Sequence, residues 1–263
     1  MVLSYNHPEL TARAVQSALQ VHDKVFLIHN GSESKFYQIL SEKFKTVTHL
    51  SLQQNRGYSG GVNFGLNKAF KNLDWLVLLT NDCQIQNLPK LPDAPAFVAP
   101  HIRIQKSLRT DSLGGGFKPH FAKIFHCKNF RDFETSKYKY IPGSAFLIHK
   151  DVYYATGDFD ESLGTYWEDV DFSQRALKKN QKLLIDPDWL VEHGRGKTCH
   201  KDRHYTLYLY QRNRKRISLK YTPTFYKPLL FIVLWTTWTK AAFKLWRNSR
   251  AKDVRLLLRA ISD

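Results

Sequence analysis

The chain has 263 residues, of which 43% are hydrophobic. That is enough apolar material for one large domain or a domain with an appendage, and it excludes an intrinsically disordered chain. The formal net charge of +17 favours phosphate-bearing partners, and Cys83, Cys127 and Cys199 have neither disulfide-framework nor metal-ligand spacing, which points to a reducing, intracellular setting. The N-terminus opens directly on an apolar strand, Val2-Leu3-Ser4-Tyr5, so no signal peptide is expected.

From there strand and helix patterns alternate. Pro8 suits the first turn of a helix, and Leu10, Ala14 and Ala18 recur at helical spacing. Residues 24–29 form a second strand, and Phe36, Ile39, Leu40 and Phe44 mark one face of a second helix. Residues 47–52 alternate as a third strand, 55–61 read as a Gly-rich turn and 62–70 as a helix. The apolar run 75–79 is that of a buried parallel strand. This order predicts βαβ units and a mostly parallel sheet. Residues 83–140 are broken by Pro89, Pro92, Pro95 and Pro100, and read as irregular. A strand returns at 141–149, a helix at 169–179 with Asn180 as its left-handed cap, and a strand at 182–186 that Pro187 ends.

From about Tyr205 aromatic and basic residues interleave at helical spacing. Residues 201–263 hold 15 Lys or Arg against three acids, a surplus of +12. Within them 229–239 is apolar for only 11 residues, whereas a membrane-spanning helix needs about 20. Two readings stay open. One is an interfacial element with Lys227, Lys240 and Lys244 at its flanks and Trp235, Trp238 and Trp246 at headgroup depth. The other is a terminal helix packed on the domain.

Chemistry-bearing residues gather at the strand ends. The first strand ends at Tyr5-Asn6, the second at His29-Asn30-Gly31-Ser32, and the third leads into Asn55-Arg56-Gly57-Tyr58-Ser59-Gly60-Gly61-Val62-Asn63. The fourth ends at Thr80-Asn81-Asp82. In a parallel sheet these lie along one edge, where ligands bind. Downstream, Glu168, Asp169 and Asp171 open a helix. Acids at a helix start also complement its dipole, so this cluster alone decides nothing.

Together these pieces resemble the family 2 glycosyltransferases with the GT-A fold, most nearly bacterial rhamnosyltransferase-like members that build surface polysaccharides. Pro142-Gly143-Ser144-Ala145-Phe146, Gly157-Asp158-Phe159-Asp160-Glu161 and His193 extend the likeness over nearly the whole chain. It implies an α/β domain with a Rossmann-like, mostly parallel central sheet at 1–204, and a basic, membrane-associating helical extension at 205–263. It implies an inverting transfer of rhamnose or another hexose from a nucleotide sugar to a hydroxyl of a lipid-linked or surface-polysaccharide glycan. The expected setting is cytoplasmic, peripheral at an anionic membrane surface, with no nucleic acid.

By the same resemblance Asp169 is the catalytic base that takes the acceptor's proton, with Glu168 and Asp171 shaping its surroundings. Asp82 and His193 hold a divalent cation, Mn²⁺ or Mg²⁺, against the leaving diphosphate. Donor contacts fall to Tyr5, Asn6, Asn30, Ser32, Asn55, Arg56, Gly57, Gly61, Asn63, Asn81, Gly143 and Ser144, and to Arg195, Lys197 and Thr198 after His193. Arg212-Asn213 matches a pair in the family's C-terminal part, with no role legible from sequence. Two positions depart from the family pattern: His29 stands where relatives usually carry an Asp, and Thr80 replaces the first acid of an Asp-x-Asp element. A catalytically degenerate homologue and a sugar nucleotidyltransferase are the alternatives. The second usually carries a Gly-rich, Arg-Lys loop after its first strand, where this chain has Asn6-His7-Pro8. A nucleic-acid-binding protein, suggested by charge alone, has no need of the Glu168-Asp169-Asp171 cluster.

Overall fold

The computed structural model describes residues 1–105, 107, 109–194, 203–247 and 250–263. Its first third alternates as the sequence predicts: β1 (Val2–Ser4), α1 (Pro8–Val21), β2 (Phe26–Asn30), α2 (Ser34–Lys43), β3 (Thr48–Leu52), α3 (Gly57–Ala69) and β4 (Trp75–Thr80). The strands pair in parallel in the order β3-β2-β1-β4. Successive strand residues go to opposite faces, as the period of two requires. Val2, Leu27 and Leu79 pack with Ala14, Val15 and Leu40 from α1 and α2. Leu3, Ile28 and Leu78 pack with Val62 and Leu66 from α3.

The sheet continues through β6 (Ala96–Ile104), β11 (Ala145–His149) and β12 (Lys182–His193) to β5 (Cys83–Ile85), in the order β4-β11-β6-β12-β5. β11 and β5 run antiparallel to their neighbours, so six of the eight strands on this path share one direction. β7 (Thr110–Leu113) pairs with β6. A second sheet of β10 (Lys139–Tyr140), β8 (Gly115–Lys118) and β9 (Lys123–His126) lies beside it. α4 (Phe130–Glu134) and α5 (Lys150–Thr156) connect these strands, and α6 (Glu168–Lys178) covers the main sheet with Phe172 and Ala176.

Three expectations are corrected. α3 starts at Gly57, inside the expected turn, because Asn30 satisfies the turn's backbone and shortens it. The middle segment is not irregular: it supplies β6, in the heart of the sheet. Pro100 is tolerated there because it lies beyond the stretch of β6 that pairs with β11, opposite a register shift in β12 between Asp186 and Leu190. Pro187 does not end the last strand either; it sits in that same irregularity, where no ladder N–H is needed. Asn180 does take the left-handed region, with φ of 57°. Cys83 and Cys127 are buried free thiols, and Cys199 lies outside the described residues.

The C-terminal part is helical, with α7 (Arg203–Tyr221), α8 (Lys227–Arg247) and α9 (Ala251–Ser262). α7 is built into the body of the fold: its Ile217 and Tyr221 share a core with Phe117, Tyr140, Leu163, Trp167 and Val170. α8 buries Leu230, Leu234 and Trp238 against Ala122 and against Leu257 of α9. Among the described residues no helix is long and apolar enough to cross a membrane.

Candidate active site

The residues before α6 adopt a costly conformation. Tyr166 and Trp167 both lie in the left-handed region, at φ of 74° and 72°, which bulky side chains avoid unless their surroundings enforce it. Trp167 is buried with its ring 5.7 Å from Phe117 and 5.9 Å from Tyr210. Asn213 of α7 is fully buried, and its Nδ2 donates to the carbonyls of Leu163 (2.8 Å), Thr165 (3.1 Å) and Tyr166 (2.8 Å). Arg212 donates to the carbonyls of Ser162 (2.8 Å) and Leu163 (3.2 Å) and orients the Asn213 Oδ1 (3.0 Å). The Arg212-Asn213 pair therefore clamps the turn that aims α6. Asn213→Ala removes three hydrogen bonds from the turn, and is expected to cost about 1–3 kcal/mol by chemical denaturation. The freed turn should lower turnover of the folded protein as well.

The clamp fixes three acids with different surroundings. Asp169 accepts the Gly143 N–H at Oδ2 (3.0 Å) and the Val170 N–H at Oδ1 (2.8 Å). Glu168 is buried, and its Oε2 has no partner. Burial pushes both carboxyls up. Glu168 is pushed further by the neighbouring Asp169, whereas the two backbone donors offset part of the rise at Asp169. The environments separate the pair: Glu168 is pushed up further, while Asp169 has two backbone donors that favour its charged form. Asp171 is fully buried and turned to other partners, Arg175 (2.8 Å), Lys220 (2.6 Å) and the Tyr221 hydroxyl (2.9 Å). Burial would raise it, but the bonds and charges of Lys220 and Arg175 win and hold it below the usual carboxylate range.

The Gly-rich segment wraps the same centre. Asn30 donates to the Gly57 carbonyl (2.8 Å) and to Asn55 Oδ1 (3.2 Å), and accepts the Arg56 N–H (3.1 Å). Gly57 has φ of +68°, and an added Cβ would come within 2.8 Å of the Gly164 carbonyl oxygen, so no side chain fits. Tyr58 donates its hydroxyl to the Gly143 carbonyl at 2.5 Å. Asn63 exchanges two 2.9 Å bonds with the backbone of Phe159. Arg56 pairs with Glu161 at 2.6 Å, and Gly61 packs closely on Leu3 and Asn30. At the neighbouring strand ends the Asn6 N–H donates to Ser32 Oγ (3.0 Å), and Tyr5 is exposed.

His29 is buried, not presented at the rim. Its Nε2 lies 3.0 Å from His49 Nδ1, and its ring lies 4.7 Å from Tyr37. Burial and then His49 lower it to about 4, so it is neutral. His49 Nε2 lies 3.0 Å from the Phe44 carbonyl and donates there, which makes its Nδ1 the acceptor. His29 therefore donates from Nε2 and keeps its own Nδ1 as a buried acceptor without a partner. No carboxylate stands at this position to read a base.

The end of β4 forms the second centre. His193, at the end of β12, lies 3.3 Å from Asp82 through Nε2 and 3.7 Å from Asp111 through Nδ1. Asp82, Cys83 and His193 offer ligand atoms within 4.8 Å of one another. Burial would lower His193, but Asp111 and Asp82 outweigh it and raise it to about 9. Burial would raise Asp82, but His193 and Thr80 hold it down. Burial and then Asp82 push the Cys83 thiol far up. Thr80, in place of an acid, donates to Asp82 Oδ1 at 2.8 Å and so orients the remaining carboxylate. Asn81 turns inward, its Nδ2 3.4 Å from Thr11.

Gly143-Ser144 joins the two centres. The Ser144 carbonyl accepts the Thr80 N–H at 2.9 Å, while the Gly143 N–H holds Asp169. Arg195, Lys197 and Thr198 lie outside the described residues. Asp111 and Tyr58 were not singled out from sequence. Asp111 sits in the segment read as irregular, and Tyr58 was hidden among glycines, where only its phenol set it apart.

The family model described as Glycosyl transferase family 2 matches residues 1–153. Among solved structures the chain is similar to GalNAc-T7 with UDP, GalNAc and Mn²⁺, at TM-score 0.63 and 17% identity, over 86% of this chain and 48% of that one. It is also similar to the mannosyltransferase PcManGT from Pyrobaculum calidifontis in complex with GDP-Man and Mn²⁺, at TM-score 0.57 and 12% identity, over 99% of this chain and 72% of that one. S. aureus TarS is similar at TM-score 0.53 and 15% identity, over 80% of this chain and 38% of that one. The chain thus spans about half the length of the GalNAc-T7 chain. No curated protein sequence matches it. At these identities the solved structures establish the GT-A type of fold, and the family match covers more than half of the residues. The chain belongs to glycosyl transferase family 2.

Proposed function

We propose that the protein is an inverting glycosyltransferase that moves rhamnose or another hexose from a nucleotide sugar to a hydroxyl of a lipid-linked or surface-polysaccharide glycan. The observation that carries this reading is the Asp169 carboxyl, which accepts the Gly143 N–H one residue from the backbone that anchors the Asp82 centre. The acceptor hydroxyl gives its proton to Asp169 as its oxygen attacks the anomeric carbon, and the nucleoside diphosphate leaves from the opposite face. Glu168, pushed toward its neutral form by burial and by Asp169, limits the charge facing that oxygen. Asp171 positions α6 through Lys220 and Arg175. Arg56 exchanges its exposed partner Glu161 for a donor phosphate at little cost, since surface pairs are weak. Tyr5, Asn6, Ser32, Asn55 and Asn63 shape the donor side, with Arg195, Lys197 and Thr198 as further contacts. Residues 1–204 form the catalytic domain and 205–263 the extension that braces it.

The Asp82 and His193 donor set fits a divalent cation. A carboxylate with an imidazole suits Mn²⁺ better than Mg²⁺, which prefers oxygen. When bound, such an ion supplies Lewis-acid stabilisation of the leaving diphosphate. GalNAc-T7 and PcManGT were each solved with a nucleotide or nucleotide sugar and Mn²⁺, which supports the reading.

A panel of UDP-, GDP- and dTDP-sugars, each with Mn²⁺ or Mg²⁺, tests it. At least one donor should raise the melting temperature by a few degrees, as saturating ligand does, and should be slowly hydrolysed in the absence of acceptor. A donor that stabilises but is neither hydrolysed nor transferred would establish the degenerate homologue suggested by Thr80. Sugar-nucleotide synthesis from a sugar phosphate would establish the nucleotidyltransferase.

A further inference from the structure

α8 is apolar on two faces, and only one of them is covered. Leu230, Leu234 and Trp238 are buried at 0%, 1% and 8% exposure. On the far side Phe225, just before the helix, is 86% exposed, and Ile232, Trp235, Phe243 and Trp246 are 61%, 68%, 59% and 71% exposed. Their spacing is helical, so they form one stripe along α8 rather than scattered single residues. Lys240, Lys244 and Arg247 are exposed along the same helix, within a segment whose charge is +12. A core helix has no use for a second apolar face, and a face that packs on an uncharged protein partner has no need of this density of cations.

We propose that this outer stripe of α8 is a membrane-docking face, with the helix lying in the plane of an anionic lipid surface. Aromatic and branched side chains enter the boundary between headgroups and acyl chains, and the lysines and Arg247 meet lipid phosphates. The occupant is a lipid surface because apolar stripe and cations occur together, and because α8, at 21 residues, is not apolar enough to cross. The stripe is coupled to the carboxylate centre through packed structure. α8 rests on the turn Pro119–Phe121, where His120 stacks on Tyr226 with ring centroids 5.1 Å apart. That turn joins β8 to β9, and Phe117 of β8 packs on Trp167, next to Glu168 and Asp169. Docking therefore presents the carboxylate centre in a fixed attitude to the membrane, as a lipid-linked acceptor requires. The acceptor part rests on the proposed activity; the docking part does not, and it is tested without any donor.

The full-length protein is incubated with vesicles of phosphatidylcholine alone and of phosphatidylcholine with phosphatidylglycerol, at low and high salt, and bound protein is measured by sedimentation. Binding should need the anionic lipid and weaken with salt, because surface charges are screened. The triple variant Ile232→Ser, Trp235→Ser, Trp246→Ser touches only exposed positions, so its melting temperature should match that of the wild type while partitioning falls at least tenfold. Lys240→Glu with Lys244→Glu should also weaken binding and reduce its salt dependence. The proposal is overturned if wild-type protein ignores anionic vesicles at low salt, or if the triple variant binds them as wild type does. It is also overturned if a DNA duplex binds as tightly as the vesicles, or if sedimentation equilibrium shows a wild-type dimer that the triple variant turns into monomer. That last result would make the stripe an interface between two copies.

Discussion

Asp169→Asn is expected to lower turnover by about 100-fold or more, the size of effect a positioned base contributes, while nucleoside diphosphate affinity barely changes. Asparagine keeps the shape but lacks the basic carboxylate that the proposed proton transfer needs. The pH profile gives an independent check. Burial raises Asp169, so kcat/KM should fall as pH drops through a limb lying above the ordinary carboxylate range, and the variant should lose that limb. Glu168→Gln separates the two acids: burial and the neighbouring Asp169 push Glu168 toward its neutral form, so an isosteric amide there should leave turnover within about tenfold of wild type. Near-normal turnover in Asp169→Asn with collapse in Glu168→Gln would exchange their roles.

Asp171 should behave differently from both. Its carboxylate is spent on Arg175, Lys220 and Tyr221. Asp171→Asn is expected to cost about 3 kcal/mol, the low end for a broken buried pair because Lys220 remains half in water. Turnover per folded molecule should fall, but less than in Asp169→Asn, because Asp171 only positions α6. The sign with pH follows from its depressed titration: this stabilisation is present above the ordinary carboxylate value of 3.8 and is lost as pH falls below it.

Much of this was legible in the sequence, for identifiable reasons. The βαβ half was readable because strands buried on both faces give unbroken apolar runs, as at Trp75–Thr80, and the helices between them keep a four-residue period. The strand-end residues followed from that topology, since parallel strands carry their carboxyl ends to one edge. β6 was not readable because Pro95 and Pro100 mimic a loop; only tertiary pairing shows that Pro100 falls opposite an irregular stretch of β12. The partners that set Asp171 apart from Asp169 were equally beyond sequence. Two residues apart at the start of a helix, these acids face different neighbours, and Lys220, which claims Asp171, lies 49 residues away. The same holds for Asn213, whose three carbonyl partners lie about as far off.

The Asp82 centre yields the second large expected effect. Asp82→Asn and His193→Ala should each weaken Mn²⁺ binding in the presence of nucleoside diphosphate, read by electron paramagnetic resonance of free Mn²⁺ without any turnover. Each should lower transfer on the order of 100-fold, because losing a few kcal/mol of charge stabilisation costs tenfold per 1.36 kcal/mol. Asp111→Asn is the more discriminating variant. Asp111 lies 3.7 Å from His193 Nδ1, where a carboxylate fixes the ring and its tautomer so that Nε2 faces Asp82. With the ring less firmly held, Mn²⁺ affinity should fall by about 10-fold to 100-fold, yet the protein should still reach near-normal transfer at saturating Mn²⁺, which neither ligand variant should do. If all three variants bind Mn²⁺ as wild type does, the cluster is a structural ion pair. Thr80 would then mark a chain in which Asp82 and His193 serve the fold, and the leaving diphosphate would depend on Arg56 and the basic segment after His193.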